Sequence, residues 1–447
     1  MIDPRFSADS GLLPDSAVAA VSLPETTGRQ IVVFARDEDD GQIDWARAGI
    51  SSVADTRDFA SGGLPPEAMQ ESQATMFANL GIAVVAADPS QVAMLQAADA
   101  PGRRILSVSP ELVHHVLQDV LEYTRAYRDG VDDLAERVLH AHDHDGAAMA
   151  APAAAPLFQD TAQATWGIQA TKADSSPLSG KGIGVAVLDT GFDLTHPDFA
   201  GRTVTAQSFV PGEQAQDGHG HGTHCIGTSC GPRTPSTGPR YGIAYEADIF
   251  VGKVLSNSGS GTDGGILAGI DWAVSNGCPV ISMSLGANVM KAHPPYSAAG
   301  ARALEKGSLI IAAAGNNADR RTGNFGFVGA PANSPEIMAV GALEQRLEMA
   351  YFSARSLPAR GGQVDIAGPG FQVLSSWPLP TRYKAISGTS MATPHVAGVA
   401  ALWAQATGRR GLELWATLMQ ESQRLLQPSV DVGSGLCLAP QDAPPQQ

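Results

Sequence analysis

The feature that most constrains the fold is a series of six apolar runs that begins after about residue 157. The runs are residues 183–188, 249–255, 280–285, 309–314, 337–342 and 364–367. Helical stretches such as residues 264–274 and 296–306 lie between several of them. Strands that are covered by helices on both faces have this apolar character, and they occur in parallel sheets. The sequence therefore predicts an α/β fold with a mostly parallel sheet.

A smaller α+β unit is predicted upstream of this region. Residues 31–34, 81–85 and 105–108 are short β-type runs, and Asp88 followed by proline predicts the start of a helix. An amphipathic helix pattern follows at residues 117–139, and an Ala- and Pro-rich stretch before residue 157 is the clearest linker. The predicted zones are a loose tail at residues 1–28, the small domain at 29–116, the helix plus linker at 117–157, the α/β domain at 158–438 and a flexible tail at 439–447.

Composition limits the classes of partner. The 447 residues carry a net charge of −16, which disfavours nucleic acid and anionic membranes as partners. No apolar run approaches the ~20 residues of a membrane helix. Because no basic segment followed by an apolar stretch opens the sequence, it predicts a cytoplasmic location or a non-standard export route. Four cysteines are too few for a disulfide scaffold, so we expect Cys225, Cys230, Cys278 and Cys437 to be free thiols.

Three motifs supply the parts of an activated hydroxyl nucleophile. Asp189 ends an apolar run in Val-Leu-Asp-Thr-Gly, where open α/β sheets place their sites. His221 lies in Asp-Gly-His-Gly-His-Gly-Thr-His at a predicted helix start. Ser390 lies in Ser-Gly-Thr-Ser-Met-Ala-Thr-Pro-His-Val-Ala-Gly, at the start of another helix. In such a set the histidine takes the serine proton and the aspartate orients and stabilises the imidazole.

These motifs, in the order Asp, His, Ser, resemble those of the subtilisin-like serine proteases, or subtilases, over about residues 166–438. The resemblance implies a three-layer fold and a serine endopeptidase that hydrolyses peptide bonds of protein or peptide substrates through an acyl-enzyme. It gives Asp189, His221 and Ser390 the triad roles. It also makes Asn316, in Ala-Ala-Ala-Gly-Asn, an oxyanion donor beside the Ser390 N–H.

The resemblance also implies substrate and calcium sites, with no cofactor for catalysis. The segments that pair with an extended substrate backbone correspond to Gly259, Ser260 and Gly261 on one side and Ser284, Leu285 and Gly286 on the other. Gly329 corresponds to the floor of the primary pocket, which leaves room for an apolar side chain. A structural Ca²⁺ site of the proteinase K-like branch corresponds to the Asp365 carboxylate with the carbonyls of Pro335 and Ile337. A second site at Asp198 lacks suitable ligands in residues 231–238.

By order and position, residues 29–116 resemble the inhibitory propeptide of the same family. This implies a proenzyme whose N-terminal domain assists folding, blocks the cleft and is removed by self-cleavage within residues 116–157. Two alternatives stay open: transfer of the acyl group to a peptide amine, and a non-enzymatic binding protein whose cleft is permanently filled. The histidine- and aspartate-rich run at residues 140–145 is either a metal site or a solvated linker. We also hypothesise that thiol reagents inhibit by modifying Cys225 and displacing His221.

Overall fold

The computed structural model describes residues 24–35, 45–60, 63–97, 105–117, 156–357 and 362–442. Several predictions lie outside these ranges: the tail up to residue 23, the amphipathic helix beyond residue 117, the Ala/Pro linker to residue 155, the histidine-rich run and residues 443–447. Within the described ranges, no helix combines the length and the apolar character that crossing a membrane requires.

In its described residues, the N-terminal unit has five β-strands, which form a sheet, and two α-helices. Its elements are β1 (Thr26–Phe34), β2 (Val53–Asp55), α1 (Pro66–Glu71), β3 (Ala74–Phe77), β4 (Ile82–Val85), α2 (Pro89–Ala97) and β5 (Ile105–Val116). The strand order is β5-β1-β4-β3-β2. As predicted, Asp88 caps α2, since its Oδ1 accepts from the backbone N–H groups of Ser90 and Gln91 at 2.8 and 3.0 Å.

Two expectations for this unit need correction. Residues 26–28 belong to β1 and not to a loose tail, because Thr26 pairs with Leu112 of β5. The third β-type run does not end at residue 108, since β5 continues to Val116. Its last four residues pair with strands of the C-terminal unit, as described below.

The C-terminal unit alternates strands and helices. Its elements are α3 (Trp166–Ala170), β6 (Gly184–Asp189), β7 (Val204–Ser208), α4 (His221–Cys230), β8 (Asp248–Lys253), β9 (Ser260–Thr262), α5 (Asp263–Ser275), β10 (Val280–Met283), β11 (Leu285–Gly286), α6 (Pro294–Glu305), β12 (Leu309–Ala313), β13 (Met338–Leu343), β14 (Ile366–Pro369), β15 (Val373–Trp377), β16 (Arg382–Ile386), α7 (Thr389–Thr407), α8 (Gly411–Gln420) and α9 (Ser429–Val432). Short 3₁₀ turns at residues 197–199 and 320–322 complete it.

Seven of these strands form a parallel sheet, which confirms the predicted fold class. The order is β14-β13-β12-β10-β6-β8-β7. Along β6, Val185 and Val187 face a core shared with α4 and α7, whereas Ala186 and Leu188 face a core shared with α5 and α6. This alternation makes the three layers, with helices on both faces of the sheet.

The N-terminal unit packs on α5 and α6 through the apolar face of its sheet. Ile31, Val33 and Val84 belong to the same buried cluster as Ile266 and Ala299 of these helices. Polar contacts surround this cluster. Arg302 donates to the carbonyls of Phe34 and Gly81, the Asn79 N–H and amide donate to Asp271, and Glu111 accepts from the Gly264 N–H. The two units therefore form one continuous hydrophobic core.

Two features of the C-terminal unit differ from the sequence prediction. The run at residues 280–285 is two strands, because the chain leaves the parallel sheet after Met283 and Leu285–Gly286 pairs instead with β5. Residues 439–442 are not a free tail, since the Ala439 N–H donates to the Thr171 carbonyl at 2.8 Å. All four cysteines are free and buried, as expected.

Candidate active site

Asp189 and His221 meet at the carboxyl edge of the parallel sheet. Asp189 is the last residue of β6 and His221 is the first of α4. Asp189 Oδ1 lies 2.8 Å from His221 Nδ1, and both side chains are buried. His221 Nε2 is buried without a hydrogen-bond partner among the described residues. A carboxylate on one imidazole nitrogen and an unpartnered second nitrogen are what a general base requires.

The charge of the Asp189 carboxylate dominates the electrostatics of His221. Burial opposes the imidazolium form, but the adjacent carboxylate, with a smaller contribution from Cys225, outweighs burial and raises the pKa of His221 well above its ordinary value. An imidazole of this kind is a stronger base. It holds a proton more readily once it has taken one from a nucleophile.

Asp217, the first residue of the His221 motif, connects the end of β6 to the start of α4. Its carboxylate accepts from Thr190 Oγ1, the backbone N–H groups of His219 and Gly220, and both the N–H and the hydroxyl of Thr223, all at 2.7–3.0 Å. Thr190 follows Asp189, and the other donors flank His221. Asp217 therefore fixes the end of β6 against the start of α4.

Ser390 is the second residue of α7 and is buried. Its hydroxyl donates to the Ser284 carbonyl at 3.0 Å, while the Ser284 hydroxyl donates to the Ser390 carbonyl at 2.8 Å. The Ser390 carbonyl also lies 3.6 Å from Cys225 Sγ, and Cys225 Sγ lies 3.8 Å from His221 Nδ1. Ser390 thus belongs to the same cluster as Asp189 and His221, with its hydroxyl turned to a backbone acceptor.

Asn316 presents its amide to the carbonyl of Leu117. Asn316 Nδ2 donates to the Leu117 oxygen at 2.5 Å. Its own Oδ1 accepts from the N–H and the hydroxyl of Thr389 at 2.9 and 2.8 Å, which fixes the orientation of the amide. A Cβ added to Gly388, two residues before Ser390, would lie 2.7 Å from the same Leu117 oxygen. The carbonyl of Leu117 therefore accepts from the Asn316 amide, one of the two groups that were expected to stabilise the oxyanion.

The end of β5 lies in the cleft between two segments that were expected to bind substrate. Val113, His114 and His115 pair antiparallel with Thr262, Gly261 and Ser260, and the Val116 N–H donates to the Gly259 carbonyl at 3.0 Å. On the other side, Val116 and His115 pair with Leu285 and Gly286. The N-terminal unit thus supplies the middle strand of a three-stranded arrangement, which is how an extended peptide binds by strand addition.

The side chain of Leu117 lies against Gly286. A Cβ built on Gly286 would come within 3.0 Å of Leu117 Cδ1. Gly329 lies in the neighbouring loop, where an added Cβ would come within 2.5 Å of the Ala287 carbonyl. Gly286 therefore leaves space for the Leu117 side chain, whereas Gly329 packs against the backbone of residues 287 and 288.

The other two histidines of the His221 motif are not part of the Asp189–His221 pair. His224 is buried, and its Nε2 lies 2.9 Å from the Val373 carbonyl. Burial is the main cause that lowers the pKa of His224 to about 3, so it is a neutral packing residue. His219 is half-buried at the rim, close to Gly259. Burial and the neighbouring His221 lower the pKa of His219.

Asp189, His221 and Cys225 place three metal-capable ligand atoms within 4.8 Å of one another, and no other group in the described ranges does so. Burial raises the pKa of the Cys225 thiol. We expect methylmercury to lower any hydrolytic activity of this site, because a group on Sγ would displace His221, and a displacement of about 1 Å can cost ~10²-fold in rate. The Cys225→Ala variant should resist the reagent. Full activity after stoichiometric modification of Cys225 would contradict the hypothesis.

Asp365 fits the predicted calcium role in its surroundings. It precedes β14, and Pro335 and Ile337 precede the adjacent strand β13, so all three lie at the same edge of the sheet. One backbone donor, the Ala339 N–H, reaches Asp365 Oδ2 at 2.8 Å, and no basic side chain of the described residues pairs with it. Burial raises the pKa of Asp365 to about 7, because it outweighs this single hydrogen bond, which acts to lower the pKa. A buried carboxylate without a counter-charge among the described residues suits a hard cation.

Asp198 has a different environment. Its carboxylate accepts from the hydroxyls of Tyr241 and Tyr383 and from the Ser236 N–H at 2.7–3.1 Å. Burial acts to raise the pKa of Asp198, but these hydrogen bonds outweigh it and the pKa is lowered. Neutral donors therefore stabilise this carboxylate, so the second calcium site does not fit the structure.

The comparisons with known proteins agree with this geometry. A profile described as the subtilase family matches residues 180–433. The chain is 40% identical over 241 residues to a cuticle-degrading protease of Metarhizium anisopliae. The aligned region covers 52% of this chain and 56% of the relative. It is 44% identical to the M-protease of Shouchella clausii (53% and 58% covered) and 43% identical to subtilisin Savinase of Lederbergia lenta (53% and 82% covered). The chain thus spans just over half the length of the first two relatives.

Proposed function

Because the chain belongs to the subtilase family, we propose that it is a serine endopeptidase whose triad is Asp189, His221 and Ser390. The single observation that best supports the activity is the backbone of Leu117, whose carbonyl receives the Asn316 amide beside Ser390. It suggests where a scissile carbonyl binds. The relatives, a cuticle-degrading protease, M-protease and subtilisin Savinase, bear names that agree with the proposal.

In this mechanism the Ser390 hydroxyl leaves the Ser284 carbonyl and turns to His221 Nε2, which has no hydrogen-bond partner among the described residues. His221 takes the proton as Ser390 Oγ bonds to the substrate carbonyl carbon. Asp189 stabilises the imidazolium, while the Asn316 amide and the Ser390 N–H stabilise the oxyanion. His221 then gives the proton to the leaving amine. Water, deprotonated by His221, hydrolyses the acyl-enzyme and restores Ser390.

The same proposal makes the N-terminal unit an intramolecular inhibitor and identifies its cleavage site. The backbone of residues 113–116 pairs along the cleft as a substrate would, and Leu117 supplies the carbonyl at Asn316. The first peptide bond cut is therefore the one between Leu117 and Gln118. This bond falls inside the predicted processing range of residues 116–157. After cleavage, the cleft stays blocked until the N-terminal unit dissociates.

A serine-directed fluorophosphonate tests the enzyme against the alternative of a permanently filled binding protein. After incubation of the full chain, the reagent is expected to label Ser390 alone and to stop casein hydrolysis in proportion to labelling. Labelling is read as added mass on the peptide that contains Ser390. A chain that is never labelled and never digests casein would contradict the proposal and would favour the binding protein.

We further propose that Asp365, with the Pro335 and Ile337 carbonyls, holds a structural Ca²⁺. At a concentration 100 times its dissociation constant, the ion would add about 2.7 kcal/mol to the free energy of unfolding. A domain of this size then gains roughly 5–10 °C in Tm. Asp365→Asn should abolish this calcium-dependent gain, and Asp198→Asn, the control, should keep it. An equal gain in the Asp365→Asn chain, measured by calorimetry with and without EGTA, would refute the site.

Docking of the N-terminal unit is expected to weaken as the pH rises from 4 to 6. Burial beneath that unit raises the pKa of Asp271 to about 6. Hydrogen bonds from Thr56 and Asn79 act in the opposite direction and are outweighed. Docking therefore favours the protonated form. The contribution of protonated Asp271 to the free energy of docking is fully present below pH ~4. It is lost as the pH rises through 6, and the loss is at most about 3 kcal/mol. Hydrogen exchange of residues 105–117 in the Ser390→Ala chain measures it. Asp271→Asn should remove this pH dependence, and an unchanged slope would contradict the explanation.

A further inference from the structure

Asp263, the first residue of α5, lies in a buried pocket beside the cleft and has no part in the mechanism above. Its carboxylate accepts from two groups of the C-terminal unit, the Tyr296 hydroxyl at 2.7 Å and His293 Nε2 at 3.1 Å. It also accepts from two groups of β5, the Leu112 N–H at 2.7 Å and His114 Nε2 at 2.6 Å. Half of the donors that stabilise this buried carboxylate therefore belong to the occupant of the cleft.

The register of β5 relates this pocket to the scissile bond. Leu117, whose carbonyl faces Asn316, is position 1, counted backwards from the bond, and His114 is position 4. Side chains alternate along a strand, so His114 points into the pocket, while the side chain of His115 is about half exposed. The pocket around Asp263 thus receives the side chain at position 4 of whatever peptide occupies the cleft.

The pocket is an acidic one. Burial acts to raise the pKa of Asp263, but His114 and His293 outweigh it and hold the pKa well below its ordinary value, so the carboxylate is ionised. Burial and the same carboxylate raise the pKa of Tyr296, which keeps the phenol neutral. Glu111 and Arg29, which lie beside Gly264, pair with each other at 2.6 Å and belong to the N-terminal unit. When that unit leaves, His114 leaves with it, and the neighbours of the Asp263 carboxylate on the C-terminal unit are the phenol of Tyr296 and the imidazole of His293.

We propose that this pocket selects substrates with a basic side chain, arginine, lysine or histidine, at position 4. Such a side chain restores a charge-assisted hydrogen bond to Asp263, whereas an aliphatic one of similar length covers the carboxylate and leaves it short of donors. This inference rests on the proposed endopeptidase function, since it specifies which peptides that site cleaves. It also explains why the chain's own segment carries a histidine at this position.

Matched peptide anilides test the preference on the full chain after self-cleavage. The pair is acetyl-Xaa-Ala-Val-Leu-p-nitroanilide with Xaa either lysine or norleucine, which has a similar length and no charge. Wild type is expected to show a kcat/KM about 10–100-fold higher for lysine. The ratio should fall to near 1 in Asp263→Asn. It should stay at the wild-type value in Asp271→Asn, which makes the same change elsewhere on α5. An equal or higher kcat/KM for norleucine in wild type would overturn the proposal.

A second measurement does not depend on hydrolysis. In the Ser390→Ala chain, His114→Lys should keep Tm close to that of the parent, and His114→Met should lower it, because methionine cannot donate to Asp263. If lysine at position 114 is no better tolerated than methionine, the pocket is not selective for a basic group and the proposal fails. If lysine is tolerated and no anilide is hydrolysed by any chain, the endopeptidase function fails while the assignment of the pocket stands. Hydrolysis without preference overturns the inference alone.

Discussion

Replacing Ser390 with alanine is expected to leave the chain uncut at residue 117 and to lower kcat on a peptide anilide by about six orders of magnitude. Removing the catalytic serine has a cost of ~10⁶ in kcat in subtilisin, a protein of the same family, because the remaining triad members cannot act without the nucleophile. The Ser390 hydroxyl contacts the Ser284 carbonyl, so its loss also removes one buried hydrogen bond. The measurement is intact mass of the full chain over time together with anilide hydrolysis.

The control for this variant is Ser229→Ala. Ser229 lies on α4, the helix that begins at His221, and is equally buried, and its hydroxyl donates to the Cys225 and Ile226 carbonyls of its own helix. This variant loses a buried hydroxyl without touching the reacting atoms, so it should still cleave itself. A Ser390→Ala chain that is cut at the same bond at the wild-type rate would show that another nucleophile acts.

The next largest effect is expected from Asn316→Leu, which keeps the side-chain size and removes the donor to the oxyanion. In subtilisin, a relative, loss of this type of amide costs ~10²–10³ in kcat. KM should change little, because the hydrogen bond strengthens only as the carbonyl oxygen becomes negative. Steady-state kinetics on the leucine anilide separate the two constants.

Thr389 provides the matched control for Asn316. Its N–H and hydroxyl hold the Asn316 oxygen, so Thr389→Ser keeps the amide oriented and should stay near wild type. Thr389→Val loses the hydroxyl and should fall between wild type and Asn316→Leu. An Asn316→Leu chain whose KM rises while kcat is unchanged would mean that the amide contributes to substrate binding and not to stabilising the oxyanion.

The α/β fold and the candidate site were largely predictable because their signals are local. Buried parallel strands are apolar along their whole length, so six of the seven were read directly from the sequence. The seventh, β7, was missed because it is an edge strand whose side chains are partly or fully exposed. The hairpin of β15 and β16 was missed for a similar reason, since β16 carries mostly exposed polar residues. The assignments of Asp189, His221, Ser390 and Asn316 came from motifs that each occupy a few neighbouring residues.

What could not be predicted depends on contacts between distant segments. The third β-type run was predicted to end at residue 108, yet β5 continues because Val113–Val116 pairs with β9 and β11 about 150 residues away. The place of Leu117 follows from that pairing, and no local pattern marks it. Asp263 is likewise inconspicuous in sequence, since its partners His114, His293 and Tyr296 come from β5, a loop and α6. An acidic residue at a helix start is more often a cap than part of a binding pocket.

The most direct test of the account is the identity of the first bond that the wild-type chain cleaves. The purified full chain is incubated and followed by intact mass spectrometry, with N-terminal sequencing of the larger product. The account predicts fragments of residues 1–117 and 118–447, formed by wild type and absent from Ser390→Ala. A first cut at any other bond, or no cut by a chain that nevertheless hydrolyses casein, would contradict the placement of Leu117 as the residue that presents the scissile carbonyl.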